Sequence, residues 1–532
     1  MKSKQPKWNR KARGWVLLMA REARRNWLLL LIILIGILVR AYRFGAIPPG
    51  LNQDEGSLAY DAYSLLHYGM ERNGFRYPVM LIAFGSGMSG VLAAYLAIPF
   101  MLLFGLNPVT ARMVNLSFGI LSLPIFYLLA RRITDRPTAL IAAFLLAINP
   151  WHIMISRWGL DCNLFPALFL LASYFLVRGL EKPTWLVAAL GIYALSLYSY
   201  GTAYFVVPAF LILASIYLLC HRKVGLRPFL LSGAVAVLVA IPVSLYILVN
   251  QMDLPSIQTP LFSVPHLFTT PRYQSASSLF HAGFLSSIGR NLQVLWGILK
   301  TQYDGLPWNA IPEYGTLYLW SGSLTVLGAL LMLKRTWRLR TFTPLFILPL
   351  WLLVSVALAG IMEVNINRIN IIFLPLILCT AIGMGYFLRE KWVFIPLVAL
   401  ALFSFTSFSR AYFTTYPAQI GPMFFESVHE AIDHASDATT GTICVTDQVA
   451  MGEVAVMFQL KMDPHIFAST VQYQNPHALY RHARSFGRYT FGLRNCPPDT
   501  SAYVVHRSET SAVTAPVEWT IFKYYAVGVR RR

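Results

Sequence analysis

Two acidic residues stand side by side soon after the first apolar run, in Asn52-Gln53-Asp54-Glu55-Gly56, just beyond the chain-stopping Pro48-Pro49-Gly50. A carboxylate placed there can take the proton from an attacking hydroxyl, the work of a general base. It can equally serve as a cap or first-turn acid, which helices favour on local grounds alone. A third acid, Asp161, ends the run Ser156-Arg157-Trp158-Gly159-Leu160-Asp161. Either it caps the helix that starts at Asn163, or it belongs to a site, because a carboxylate at a membrane boundary is costly without a partner or a role. Arg112, Arg157 and Arg368 complete the set, the last within Glu363-Val364-Asn365-Ile366-Asn367-Arg368-Ile369-Asn370. A guanidinium holds phosphate oxygens through its planar donors. Any single one of the three could instead reach up to lipid headgroups.

The elements that position these groups are membrane helices. Of 532 residues 56% are hydrophobic and only 13% charged, and the mean hydropathy is +0.54. Apolar stretches lie near 26–44, 89–104, 112–130, 138–150, 162–177, 184–199, 202–220, 228–249, 315–333, 342–361, 369–388 and 392–409. About 20 such residues cross a bilayer. The net charge of +21 is concentrated in the N-terminal tail and at Arg131-Arg132, Arg222-Lys223, Lys334-Arg335 and Arg389 with Lys391. These are read as cytoplasmic loops rather than as a nucleic-acid surface. All of them fall on one side only if 89–104 lies in the interface, which gives eleven spans, a cytoplasmic N-terminus and an extracytoplasmic C-terminus. The acids and the three arginines then share the outer side.

Leu58, Ala62, Leu65 and Leu66 repeat at helical spacing after the paired acids and predict a helix lying on the membrane surface. Beyond residue 410 the grammar changes. Phe424 to Ile432 alternates as an amphipathic helix, and Thr442–Thr446 and Ala502–Val505 are short strands. The expected organisation is a basic cytoplasmic tail over 1–25, a transmembrane unit over 26–410 and a small extracytoplasmic α/β domain over 411–532. Cys444 and Cys496 share that last segment, so one disulfide is possible there. No GxxxxGK[ST], GxSxG or HExxH motif occurs; Gly85-Ser86-Gly87-Met88-Ser89-Gly90 matches GxGxxG in its letters, a weak signal on its own.

In order and in membrane side, these features resemble the protein O-mannosyltransferase and lipid A aminoarabinose transferase group. They are the outer Asp54-Glu55, the helix after it, the Arg112-to-Arg132 helix, the Ser156-to-Asp161 loop and Asn367-Arg368 before Pro375. The group comprises glycosyltransferases of the GT-C fold, similar to glycosyltransferase family 39, and the resemblance covers about residues 26–410. It implies inverting transfer of a sugar from a polyprenyl-phosphate carrier to an acceptor hydroxyl on the extracytoplasmic face of the cell membrane. It further implies Asp54 as general base, Glu55 helping to position the acceptor, and Asp161 near a carrier phosphate and a metal. Arg368, with Arg112 and Arg157, would face that phosphate. The only cofactor implied is a divalent cation at Asp54 and Asp161. The acceptor stays open among lipid, glycan and protein. The stretch Ala83–Met88 replaces the His-Pro-Pro segment usual in protein mannosyltransferases, and the outer loop 250–314 is too short for their MIR domain. The competing classes are a transporter or flippase of lipid-linked saccharide, which would be expected to show internal repeats and mid-membrane charges, and a non-catalytic assembly protein.

Overall fold

The computed structural model describes residues 25–531 except 86, 270, 272–275, 279–282 and 339–341. Apart from Arg25, the basic tail expected over 1–25 lies outside the described residues. Every apolar stretch read from the sequence carries a helix. Among the described residues six helices are long and apolar enough to cross a membrane: Pro108–Ile133, Asp161–Gly179, Ala203–Cys220, Leu226–Gln251, Pro344–Ile361 and Lys391–Thr414. Shorter apolar helices occupy Val91–Phe104, Arg136–Ile148, Thr184–Ser196 and Asn370–Tyr386. A further helix covers 25–41.

Aromatic packing holds the bundle interior. The Phe169 ring centroid lies 4.7 Å from that of Trp351 and 5.0 Å from those of Tyr193 and Phe210, within the range of favourable aromatic pairs. Helices Gly322–Arg338 and Phe373–Tyr386 touch backbone to backbone. A Cβ at Gly328 would lie 1.8 Å from the Cys379 carbonyl oxygen, and one at Gly383 would lie 2.1 Å from that of Leu324. Close approach through small residues is how helices associate where lipid removes the hydrophobic drive. Arg40, fully buried, donates to the carbonyls of Leu146 (3.0 Å) and Ala147 (2.9 Å), which satisfies the C-terminal end of Arg136–Ile148.

One expected boundary is corrected, and one expected loop gains a helix. The stretch expected as a span over 315–333 becomes helical only from Gly322. Before it the chain turns at Gly315 and Tyr318, both at positive φ, with Gln302 bonded to Leu317 N–H (2.8 Å) and to the Tyr318 carbonyl (3.2 Å). The region read as outer loop 250–314 contains the helix Phe284–Thr301. That helix buries Leu295 and Ile298 while leaving Leu285 and Trp296 exposed. Its interspersed Ser, Arg, Asn and Gln hide it from a search for continuous apolar runs.

The strands are β1 (Leu81–Ala83), β2 (Gly87–Ser89), β3 (Ile257–Gln258), β4 (Ser263–Val264), β5 (Ile443–Val445), β6 (Gln472–Tyr473), β7 (Ala483–Phe486), β8 (Tyr489–Phe491), β9 (Ala502–His506), β10 (Val517–Ile521) and β11 (Tyr525–Arg530). Strands β1–β2 and β3–β4 are small hairpins, and the rest form one sheet in the order β10-β11-β9-β5-β8-β7-β6. In it β5 runs parallel to β8 and β9, and the other neighbours are antiparallel. Cys444 on β5 is disulfide-bonded to Cys496.

Helix Gly452–Leu460, from the sheet region, packs on helix Gln53–Tyr68, and the Tyr60 hydroxyl donates to the Met462 carbonyl (2.7 Å). One hydrophobic cluster therefore runs from Leu58, Ala62 and Leu65 through Val91 and Ala94 to Val454, Met457 and Val504. The helix expected on the membrane surface exists, but its apolar stripe faces protein.

A polar network is sealed at this junction. Arg72 pairs with Asp61 (3.4 Å), and its guanidinium lies 5.5 Å from the Phe84 ring. Arg481 stacks between Phe268 (3.7 Å) and Tyr473 (4.1 Å). Burial, with Asp61 adding to it, pushes the Glu71 carboxyl up to about 7, and burial pushes Glu453 up to about 7 as well. Between the ordinary carboxyl value of 4.5 and about 7 the folded chain therefore holds protons that the unfolded chain has released. In that window stability falls as pH rises, and the effect is complete above it. The melting temperature is expected to drop between pH 5 and 8, and Glu453→Gln should flatten the drop. A pH profile identical in the variant would rule the Glu453 contribution out.

Candidate active site

The paired acids part company in space. Asn52, not Asp54, caps helix Gln53–Tyr68: its side chain accepts the Asp54 N–H (3.0 Å), and its own N–H donates to Glu55 Oε1 (3.1 Å), closing a capping box. Glu55 is fully buried. Arg112 reaches it with both arms of its fork, Nη2 to Oε1 at 2.6 Å and Nε to Oε2 at 3.0 Å, while Gly159 N–H adds a bond to Oε2 (2.9 Å). Four donors thus occupy the carboxylate. The remaining Arg112 donors bind the carbonyls of Gly45, Pro48 and Gly50 at 2.8–3.1 Å. Glu55 and Arg112 form a clamp inside the protein, with no face turned to a substrate.

Arg157 is likewise fully buried. It donates to the carbonyls of Val39, Arg40, Arg43 and Ile47 and lies over the rings of Tyr412 (5.5 Å) and Phe413 (5.2 Å). Two of the three outward arginines therefore fasten the end of the first helix to the rest of the fold, as charged groups at membrane depth do when they pair with backbone.

Asp54 is half-buried and stands apart from this clamp. The carboxylate of Asp161, next to Cys162 in the turn Asp161–Asn163, and that of Asp54 both lie within electrostatic range of the Cys162 thiol. Asp161 is 7% exposed. It accepts the neighbouring Cys162 N–H (2.7 Å) and the distant Gly90 N–H (2.8 Å). A Cβ at Gly90 would lie 1.8 Å from the Ser199 carbonyl oxygen, so only glycine lets that backbone approach. Asn115 holds the preceding loop through the carbonyls of Trp158 (2.6 Å) and Leu160 (2.8 Å).

Asn370, which sequence reasoning passed over, joins the late polar patch to this centre by donating to the Cys162 carbonyl (2.7 Å). Its Oδ1 is buried and has no hydrogen-bond partner among the described residues. The signal that could have found it is its place at the end of the Asn365-to-Asn370 patch. Two residues earlier Arg368 pairs with Glu363 (2.6 Å), whose side chain is 75% exposed. Asp304, also missed, anchors the patch by accepting the Ile366 N–H (2.9 Å).

The described residues contain no group of three or more His, Cys, Asp or Glu able to hold a metal. By donor chemistry alone, the carboxylates of Asp54 and Asp161 are hard oxygen ligands of the kind Mg²⁺ takes beside phosphate oxygens and water.

Residues 67–246 match the family described as dolichyl-phosphate-mannose-protein mannosyltransferase. No curated protein matches the sequence. Among solved structures the chain is similar to ArnT from Cupriavidus metallidurans bound to undecaprenyl phosphate. The TM-score is 0.58 at 14% identity, over 97% of this chain and 98% of that one. Apo ArnT gives a TM-score of 0.54 at the same identity and coverage. The Archaeoglobus fulgidus oligosaccharyltransferase with zinc and sulfate gives 0.54 at 15% identity, over 81% of this chain and 61% of that one. The chain has the GT-C fold of membrane glycosyltransferases.

Proposed function

We propose that this protein is an inverting glycosyltransferase that moves a sugar from a polyprenyl-phosphate carrier to an acceptor hydroxyl on the extracytoplasmic face of the membrane. One observation carries the reading: Asp54, which is not the helix cap, lies within electrostatic range of the turn that holds Asp161, and Asn370 ties that turn to the Arg368 patch. The undecaprenyl phosphate bound to ArnT, which shares the fold, supports this class of donor. An apolar groove of about 420 Å³, lined by Val79, Val91, Tyr95, Tyr198 and Phe262, opens beside Gly90 and suits a prenyl chain. The Cys444–Cys496 disulfide supports an extracytoplasmic sheet region, because disulfides persist in oxidising compartments.

The chemistry needs few groups. A phosphate leaving group departs without strong protonation when cations meet its growing charge. The acceptor hydroxyl must lose its proton as the new bond forms, which is the part assigned to Asp54. Displacement in one step inverts the anomeric carbon. Asp161 and Asp54 would hold a divalent cation, which supplies charge neutralisation at the phosphate. Glu55, Arg112 and Arg157 act as positioning residues, fixing the turn on which Asp54 stands.

Of Arg112, Arg157 and Arg368, only Arg368 is not fully buried, and it is the one assigned to the phosphate. Only the Glu363 end of its ion pair is well exposed (75%, against 12% for Arg368), so that partner can give way to an anionic ligand. A charge-assisted hydrogen bond contributes roughly 1.5–3 kcal/mol, so Arg368→Ala is expected to lower use of the lipid-phosphate sugar by about 10- to 100-fold. Arg368→Lys should recover part of it, since an ammonium lacks the planar fork. The test is transfer by the purified protein with lipid-phosphate and nucleotide sugars supplied separately. Turnover with the nucleotide sugar alone would overturn the donor assignment. Carrier movement across the bilayer without transfer would favour a flippase.

A further inference from the structure

A second groove, unconnected with the reaction, lies between the helix over 25–41 and helix Lys391–Thr414. It has a volume of about 580 Å³ and is lined mainly by Leu38, Val39, Tyr42, Phe405, Ser409 and Phe413. Such a volume falls in the roughly 300–1,000 Å³ range of small-molecule sites, and the lining is almost wholly apolar. Tyr42 and Phe413 meet edge-on at 5.0 Å between ring centroids. The Ser409 hydroxyl is buried without a hydrogen-bond partner among the described residues.

Charge gathers at this end of the groove. Arg43 follows Tyr42, and Arg410 follows Ser409; Thr406, Arg410 and Phe413 fall at i, i+4 and i+7 on one helical stripe. Arg43 and Arg410 are both exposed. Neither guanidinium has a hydrogen-bonding or ionic partner among the described residues. Behind the groove, Arg157 lies over Phe413 and Arg40 lies close enough to interact with Arg157. Both are fully buried and bonded to carbonyls, and in the case of Arg40 also to His152. Among the described residues none of these four cations has a carboxylate as a direct ion-pair partner. Arg157 also lies over the Tyr412 ring, which shares one hydrophobic cluster with Trp158.

We infer that this groove is a binding site for an anionic glycerophospholipid of the bilayer, with one acyl chain against Leu38, Phe405 and Phe413 and the phosphate between Arg43 and Arg410. An apolar slot ending in unpaired cations complements an amphiphile with a long chain and a negative head. Neither Asp54 nor Asp161 lines this groove, so the lipid is assigned as a structural ligand and not as the sugar carrier.

Native mass spectrometry of the full chain, offered equal amounts of phosphatidylglycerol and phosphatidylcholine, tests this. Two interfacial arginines should favour phosphatidylglycerol about ten- to thirty-fold. Arg43→Gln combined with Arg410→Gln should bring the ratio close to one, while Arg43→Lys with Arg410→Lys should keep most of it. Leu38→Trp, which fills the groove from an exposed position, should reduce retention of both lipids, and each variant should elute as the same monodisperse species. Equal retention of the two lipids by the unmodified chain would overturn the inference, as would an unchanged preference in the glutamine pair. So would undecaprenyl phosphate displacing phosphatidylglycerol from the site that Leu38→Trp blocks.

Discussion

Asp54→Asn is expected to abolish transfer while the protein still folds and inserts. The amide is isosteric but cannot take a proton, and loss of a general base typically lowers the rate by about 10²–10⁴. The structure separates this loss from any loss of folding. The cap of helix Gln53–Tyr68 is Asn52, whose side chain bonds the Asp54 N–H, and the capping box closes through Glu55. Removing the Asp54 carboxylate therefore disturbs neither the cap nor the Glu55–Arg112 pair. Asn52→Ala supplies the contrast. It should cost about 1 kcal/mol of stability, as lost caps do, while turnover per folded molecule changes far less than in Asp54→Asn. The readout is single-turnover transfer from the lipid-phosphate sugar, with the melting temperature measured on the same preparation. Near-normal turnover in Asp54→Asn would remove the residue from the mechanism.

How much of this site was legible depends on what holds each residue. Asp54 and Asp161 stand out because carboxylates at the ends of apolar runs are costly, and that cost is visible in one dimension. Arg112 and Arg157 stand out for the same reason, yet their roles do not. The partner of Arg112 is a side chain 57 positions away, and the partners of Arg157 are carbonyls 110–118 positions away. A guanidinium meant for phosphate and one meant for backbone read alike in sequence. The stripe Leu58, Ala62 and Leu65 correctly predicts a helix and its apolar face, but hydropathy cannot say whether lipid or protein covers it. Here helix Gly452–Leu460 does so, nearly 400 residues later. Strands β5 and β9 are legible as β-branched runs. Strands β6 to β8 are two to four residues long and exist through their neighbours, so no periodicity reveals them.

The second large effect is expected at the clamp. Arg112→Ala should lower stability by about 3–5 kcal/mol, the usual cost of stranding one member of a buried ion pair. The whole of Glu55 is sealed, with both oxygens already committed to Arg112, Asn52 N–H and Gly159 N–H. The substitution therefore leaves a charge that water cannot reach. It also releases the carbonyls of Gly45, Pro48 and Gly50, so the segment between the first helix and the Asp54 turn loses its fastening. Arg112→Lys should rescue little, because one ammonium cannot reproduce two parallel bonds to the carboxylate together with three to carbonyls. Glu55→Gln should be milder, since it removes the charge and keeps an oxygen acceptor, but its amide turns donors toward Arg112. These outcomes separate a clamp from a substrate contact. A residue that positions the acceptor directly would raise the acceptor KM at unchanged melting temperature. A clamp lowers the melting temperature and the folded yield, and leaves the acceptor KM of the surviving fraction nearly as before. An Arg112→Ala protein that melts normally but loses acceptor affinity would return the pair to the substrate's side.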